Sequence, residues 1–155
     1  MSKVHSIDFE YDHDYALIAI HSILEDYRLA FHLNDALGLR LKRFKEDLDF
    51  ERAQCSFPLF VFEDEKRFAH WSVISNKDVV EREVTSSVTN LFQQESKTSY
   101  LIPEKKQVDY FIKIDGVSNG DALNEIMKSI NQIHKVITSY PVDPFELKSR
   151  DNLIF

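Results

Sequence analysis

Two segments of this chain, one near each end, follow the same order of strand, helix and strand, and this order restricts the possible folds most. The first segment begins with Tyr15-Ala-Leu-Ile-Ala-Ile20, which is short and apolar on both faces. Such a run is typical of an interior strand that is covered on two sides. The alternating stretch from Leu39 to Phe44 predicts a second strand near a sheet edge.

A helix is predicted between these two strands, from Ile23 to Leu37. Ser22 and Glu25 have the spacing of a capping box, and Gly38 can end the last turn in the left-handed conformation. One apolar stripe of this helix is expected to face a sheet. Its members are Leu29, Ala30, Leu33, Ala36 and Leu37.

The second segment repeats the pattern. A strand is predicted from Val108 to Ile114, a helix from about Asp121 to Ile133 with Asn119 as its cap, and a strand from Val136 to Tyr140. The apolar stripe of this helix is formed by Leu123, Ile126, Met127, Ile130 and Ile133.

The middle of the chain predicts a β-hairpin. The runs from Phe57 to Phe62 and from Phe68 to Ile74 flank the polar tip Glu63–Lys66. Residues 45–56 are interpreted as a charged connection. Residues 78–94 combine helical spacing with β-branched content, which favours a strand, and Tyr100–Ile102 is predicted to be a strand as well.

These patterns together predict an α+β fold. We expect a two-layer sandwich, with a mainly antiparallel sheet and two helices packed on one face. The two strand-helix-strand units would flank the central hairpin. The 155 residues are predicted to form one domain, with residues 1–12 as a strand or extended arm and residues 145–155 as a C-terminal tail.

Composition indicates the class of partner and the compartment. The net charge of −7 argues against nucleic-acid binding, because phosphate contacts need clustered basic residues. The single cysteine, Cys55, predicts a reducing compartment. The first residues lack the pattern of a signal peptide, and the longest aliphatic run is too short to cross a bilayer. We therefore expect a cytoplasmic protein without membrane contact.

Cofactor and metal sites are not predicted. Only three glycines occur, which excludes a P-loop and a dinucleotide fingerprint. An acidic run near the N-terminus contains metal-ligand residue types, but an alternating arm does not fix ligands as a helical or paired motif would. A solvated acidic edge is the preferred interpretation of this run, which consists of His5, Asp8, Glu10, Asp12, His13 and Asp14.

The stretch Ile102-Pro-Glu104, three further residues and Val108-Asp-Tyr110 resembles the signature of the IPExxxVDY family of small bacterial proteins. The ending from Leu147 to Phe155 also resembles that family. The resemblance implies a compact cytoplasmic bacterial protein. It implies no particular reaction, ligand or catalytic residue. Apart from it, the segment is interpreted as a turn, since Pro103 cannot donate to a sheet and lysines resist burial.

One candidate acid/base site can be named. His21, Asp26 and Arg28 lie where a buried strand leads into a helix, and such places often bind anions. His21 would act as the acid or base, and Asp26 would orient it. The alternative is that Asp26 only interacts with the helix dipole and that Arg28 pairs locally.

Two apolar surfaces are the stronger candidates. Leu24, Tyr27 and Phe31 form a second stripe on the first predicted helix, which the sheet does not cover. Leu153, Ile154 and Phe155 give the tail enough apolar area to need burial. We expect the tail to fold back over the stripe, because monomers rarely expose such patches. The alternative is that either surface docks on another chain, including a second copy.

The favoured hypothesis is a non-enzymatic protein-interaction or regulatory module. Its surface would combine the stripe, the tail and the charged turn formed by Glu104, Lys105 and Lys106. One alternative is a small-ligand sensor resembling the ACT type, which rests on fold analogy alone. Another is an enzyme that uses His21, Asp26 and Arg28.

Overall fold

The computed structural model describes residues 13–50, 54–85, 92–117 and 120–155. The predicted arm and the Asn119 cap lie outside these residues. In chain order the elements are β1 (Tyr15–Ser22), α1 (Asp26–Leu37), β2 (Lys42–Arg43), β3 (Leu48–Phe50), β4 (Cys55–Phe57), β5 (Leu59–Asp64), β6 (Ala69–Ser75), β7 (Lys77–Thr85), β8 (Phe92–Tyr100), β9 (Tyr110–Asp115), α2 (Gly120–Asn131) and β10 (Val136–Val142).

Six strands form an antiparallel sheet in the order β10-β1-β9-β6-β5-β2. The α+β prediction is confirmed, and so is the interior position of β1, which pairs with β10 on one side and β9 on the other. Strands β9 and β10 therefore flank β1 and are joined through α2, which is a split β-α-β arrangement. The predicted hairpin is also present, with β5 paired to β6 from Leu59↔Ile74 to Asp64↔Ala69.

Both helices pack on one face of the sheet, here called the helix face. The apolar stripe of α1 enters the core through Leu29, Ala30 and Leu33, and the stripe of α2 enters through Ile130. They pack on the side chains that alternate toward this face from the strands, such as Ile18 and Ile112. The buried residues of the helix face are therefore those predicted by the 3.6-residue period of the helices and the two-residue period of the strands.

The opposite face of the sheet, here called the tail face, is also buried. It carries a second core, in which Leu17 and Phe111 of the sheet contact three other parts of the chain. These parts are the short ribbon formed by β3 and β4, the loop after β8, and the C-terminal tail. Residues 45–56 are thus more than the predicted connection, since Leu48 and Phe50 pair with Phe57 and Cys55.

Strands β7 and β8 form a separate two-stranded ribbon. They pair along their whole length, from Lys77↔Tyr100 to Thr85↔Phe92. The strand preference for residues 78–94 is confirmed at β7. The predicted strand at Tyr100–Ile102 is wrong, because β8 ends at Tyr100 and the next two residues leave the ribbon for the core of the tail face.

The predicted start of the first helix is wrong. Helix α1 begins at Asp26, and Glu25 stands at the cap without a side-chain hydrogen bond. Ser22 belongs to β1, and its hydroxyl accepts from the amide of Leu24 and donates to the carbonyl of Lys135. The predicted end is confirmed, since Gly38 has a left-handed conformation with φ of 63°.

Both edges of the main sheet are poor templates for further strands. At one edge, β2 has only two residues, Lys42 and Arg43, and both are exposed. At the other edge, Pro141 lies within β10 and pairs with Ile18. A proline has no N–H for a hydrogen-bonded pair, so its nitrogen turns to the open side and removes a donor there. The strand thus extends past the predicted end at Tyr140.

Candidate functional site: the outer face of the first helix

Both ends of the signature segment, Ile102–Tyr110, are buried in the fold. Ile102 and Val108 are buried in the core of the tail face, and Pro103–Lys105 forms a 3₁₀ turn between them. Asn76 is fully buried beside this turn. Its amide nitrogen donates to the carbonyls of Lys105 and Val108 at 2.9 and 2.8 Å, and its amide oxygen accepts from the Ile102 amide at 2.9 Å.

The end of the signature segment holds the residues that lead into α1 in place. One carboxylate oxygen of Asp109 accepts from the backbone amide of Ser22 at 2.9 Å, and the other accepts from Lys77 at 2.8 Å. The Tyr110 hydroxyl donates to the carbonyl of Leu24 at 2.6 Å. Burial raises the pKa of Tyr110 above its ordinary value, so the hydroxyl keeps its proton as a donor. These contacts position the helix that carries the candidate site.

Glu104, which the sequence placed on a partner surface, binds the protein's own tail. Its carboxylate accepts from the Ser149 amide at 2.8 Å and from the Ser149 hydroxyl at 2.9 Å. Burial alone would raise the pKa of Glu104, but these hydrogen bonds outweigh it and hold the pKa below its ordinary value. Of the two lysines in the same turn, Lys105 is half-buried and Lys106 is exposed.

The tail lies on the tail face of the sheet, so the expectation that it covers the stripe on α1 is wrong. Leu147 and Leu153 are buried in the core of that face. The Nζ of Lys113, itself 2% exposed, donates to the Leu153 carbonyl at 2.9 Å and lies 4.7 Å from the centres of the Tyr15 and Phe155 rings. The physical reason is that this buried ammonium binds the tail through a hydrogen bond and a cation–π contact.

Leu24, the first residue of the predicted stripe on α1, does not belong to the exposed face of the helix. Leu24 precedes the helix and is buried in the core of the helix face, because the helical period does not apply before Asp26. Tyr27 and Phe31 remain 55% and 69% exposed, one turn apart on the outer face of α1. The sheet contacts the opposite side of the helix, through Leu29 and Leu33.

Two charged residues flank these aromatic side chains. Arg28 is exposed, with its Nε 3.2 Å from the Tyr27 hydroxyl and 3.7 Å from a carboxylate oxygen of Glu25. Asp35 is exposed one turn after Phe31. We call Tyr27, Arg28, Phe31 and Asp35 the α1 ridge. The sequence interpretation missed Asp35, although its spacing of four from Phe31 and seven from Arg28 places it on the same face.

Exposed apolar side chains elsewhere in the described part of the chain do not form a comparable pair on one helix. Phe68 lies in the β5–β6 turn, Phe145 in the tail and Ile137 on β10. Single exposed apolar residues are ordinary at protein surfaces. Adjacent aromatic residues on the outer face of one helix are the more informative observation.

The predicted acid/base residues do not form a common site. The His21 Nε2 lies 3.0 Å from the Tyr140 hydroxyl. Asp26 accepts from the Tyr27 amide at 2.7 Å and pairs with Arg43 at 3.3 Å, while Arg28 contacts Tyr27 and Glu25. No hydrogen bond or ion pair joins two of these three described side chains, so the proposed orientation of His21 by Asp26 is not among their contacts.

The described residues give little support to a metal site or to a nucleophilic cysteine. They include no group of three or more histidine, cysteine, aspartate or glutamate side chains that would hold a metal ion, and most of the N-terminal acidic run lies outside them. Cys55 lies beside a cavity of about 390 Å³. Burial, followed by the negative charge of Asp78, raises the pKa of its thiol, which disfavours the nucleophilic thiolate.

A groove of about 530 Å³ runs between α2 and β10. It is open to solvent and lined by both polar and apolar groups, and Asn124, Lys128, Asn131 and Tyr140 are among its residues. The Ser139 hydroxyl inside it donates to the side chain of Asn131 at 2.9 Å. A groove of this mixed lining suits a small molecule that has both polar and apolar parts.

Comparisons with protein-family models, curated proteins and solved structures found no match to this chain. The resemblance to the IPExxxVDY family therefore stays a prediction. Within the residues that the structure describes, neither helix has the length and apolar character needed to cross a membrane.

Proposed function

We propose that this protein is a cytoplasmic, non-enzymatic interaction module that docks a protein partner on the α1 ridge. The observation that carries the proposal is the exposure of Tyr27 and Phe31, 55% and 69%, side by side on the outer face of α1. Tyrosine and arginine beside a large apolar side chain are the residues that most often supply binding energy at protein interfaces.

The contacts of the other predicted surfaces support this choice. The tail uses Leu153 in the core, and Glu104 uses both carboxylate oxygens on Ser149. A partner that bound there would first have to break these internal contacts. Tyr27 and Phe31 have no such requirement, because the sheet leaves them at the surface.

Affinity capture with a matched control tests the proposal. The wild type, a Tyr27→Ala/Phe31→Ala variant and a Phe68→Ala variant would serve as baits in the same lysate, with captured proteins quantified by mass spectrometry. We expect a partner that the wild type and Phe68→Ala retain and that the double variant loses by more than about tenfold. Equal capture by all three baits, with unchanged thermal melting, would contradict it.

A small-ligand sensor is a second candidate, and the groove between α2 and β10 favours it. The split β-α-β arrangement around that groove supports the analogy with the ACT type. A metabolite panel read by thermal melting tests it, since a ligand at 100 times its dissociation constant adds about 2.7 kcal/mol to the stability. A shift that Asn131→Ala abolishes would support the groove, and a flat panel would count against it.

A further inference from the structure

We infer that the partner of the α1 ridge is a second copy of this chain, bound through an antiparallel, two-fold pairing of the two α1 helices. This inference rests on the proposed function and names the partner for the same surface. The two-fold axis would pass between the helices at the level midway between Phe31 and His32. The reason is the arrangement of charge and size on either side of that point.

The charges on the ridge are placed symmetrically along the helix. Arg28 and Asp35 each lie three and a half residues from the midpoint, which is about 5 Å along the axis. Viewed down the helix, they lie at about 60° and 40° from Phe31, on the same flank. The side chains of Arg28 and Asp35 are both exposed.

A two-fold rotation converts this symmetry into complementarity. Rotation about an axis perpendicular to both helices keeps each flank on its own side and reverses the direction along the helix. Arg28 of one copy is then level with Asp35 of the second copy, on the same flank, and the same pair forms again on the other side of the axis. Two ion pairs result, with the two Phe31 rings between them.

The other flank provides space for the tyrosine. Tyr27 lies at about 40° to the opposite side of Phe31, and there it would enter the gap between Asn34 and Gly38 of the second copy. Gly38 has no side chain, and a Cβ placed on it would meet nothing within 4 Å. A large residue thus meets an open position, as in ridge-into-groove packing.

The charge balance of the ridge also favours a second copy over random contact. The chain as a whole carries a net charge of −7, so most faces of two copies repel each other. The ridge itself holds one arginine and one aspartate, and the carboxylate of Glu25, which lies 3.7 Å from Arg28, adds one negative charge at its margin. Self-association is expected only where opposite charges are brought together, which selects the antiparallel pairing.

The first part of the test measures self-association by analytical ultracentrifugation over a concentration series. We expect a concentration-dependent dimer of the wild type. Phe31→Ser should weaken it about 100-fold, because the ring is at the centre of the contact in both copies. Phe68→Ser, at an even more exposed aromatic residue outside the ridge, should leave it unchanged.

The second part uses charge reversal to test the geometry. Arg28→Asp and Asp35→Arg should each weaken self-association about tenfold, because like charges then face each other on both sides of the axis. In an equimolar mixture of the two variants, every pair is again of opposite charge. Native mass spectrometry should then detect mainly the mixed dimer.

The outcomes separate the inference from the proposed function. A wild type that stays monomeric, a dimer insensitive to Phe31→Ser, or a mixture without mixed dimers would each overturn the second copy as partner. If the chain stays monomeric while affinity capture depends on Tyr27 and Phe31, the partner is a different protein and the proposed function stands. If both measurements are negative, both proposals fail.

Discussion

The tail and the α1 ridge carry similar apolar side chains and have different fates. Leu153 of the tail is fully buried, whereas Phe31 of the ridge is 69% exposed. The difference lies in the contacts that distant parts of the chain make with the tail. The tail finds Lys113 and Glu104, which bind its backbone and Ser149, and such anchors offset the entropy lost when a terminus is ordered. Apolar area alone does not decide which segment is buried.

The largest effect on stability is expected at Asn76, which supports the signature segment under the tail. Asn76→Ala would leave the Ile102 amide and the Val108 carbonyl without the Asn76 partner in a buried site, and the Lys105 carbonyl would keep only the Val108 amide. We expect a loss of about 4 kcal/mol in unfolding free energy, measured by chemical denaturation. Asn124→Ala, on the exposed surface of α2, is the control and should change stability by less than about 0.5 kcal/mol.

The tail itself gives the next largest effect. Leu153→Ala should cost about 3 kcal/mol, because it removes a fully buried side chain. Phe155→Ala should cost about 1 kcal/mol, since that ring is 43% exposed and contributes mainly its contact with the Lys113 ammonium. Equal and negligible losses in both variants would mean that the tail is not part of the core.

The hydrogen bonds between Glu104 and Ser149 predict that the stability of the protein depends on pH. The pKa of Glu104 is lowered in the folded protein, so the contribution of its carboxylate is present above the ordinary value of 4.5 and is lost as the pH falls through the folded-state value. Because the group is exposed, the contribution is expected to stay below about 1 kcal/mol.

Glu104→Gln should therefore lower stability at pH 7 and have a smaller effect at acidic pH, in urea titrations at several pH values. Glu65→Gln, on the tip of the β5–β6 hairpin, serves as the control. A difference between Glu104→Gln and the wild type that stays constant from pH 7 to acidic pH would show that the carboxylate charge is not responsible.

The smallest effect on stability is expected on the ridge. Tyr27→Ala/Phe31→Ala should change the unfolding free energy by less than about 1 kcal/mol, since both side chains are exposed and alanine favours the helix. Thermal melting at low protein concentration checks this. A loss as large as that of Leu153→Ala would mean that the ridge is buried and would reverse the comparison.

The sequence predicted the regular elements on the helix face because their periods are local. The stripes of α1 and α2, the interior strand β1 and the β5–β6 hairpin all follow from spacing within short windows. The elements outside the helix face were predicted only in part: β7 was predicted as a strand, whereas the β3–β4 ribbon was interpreted as a connection. The sequence between β7 and β8 has no clear turn signal, so the two strands were not predicted to pair. Strands β3 and β4 are short segments, and short segments give only a weak alternating pattern.

The candidate site was predicted in part, through Tyr27 and Phe31. Leu24 was added wrongly because the helix was expected to begin three residues early. The position of the tail was beyond local reasoning, since it depends on Lys113, a residue 40 positions before Leu153 that packs under it. Lysines are almost never fully buried, so that anchor could not be expected from the sequence.

The closed borders of the sheet set a limit on how this protein can assemble. A lysine-arginine pair at one border and Pro141 at the other discourage the strand-by-strand growth that leads to fibrils. If two copies pair through α1 as proposed, the two-fold contact occupies that surface in both of them. Polymerisation would therefore stop at a pair, and concentrated solutions should hold finite particles instead of filaments.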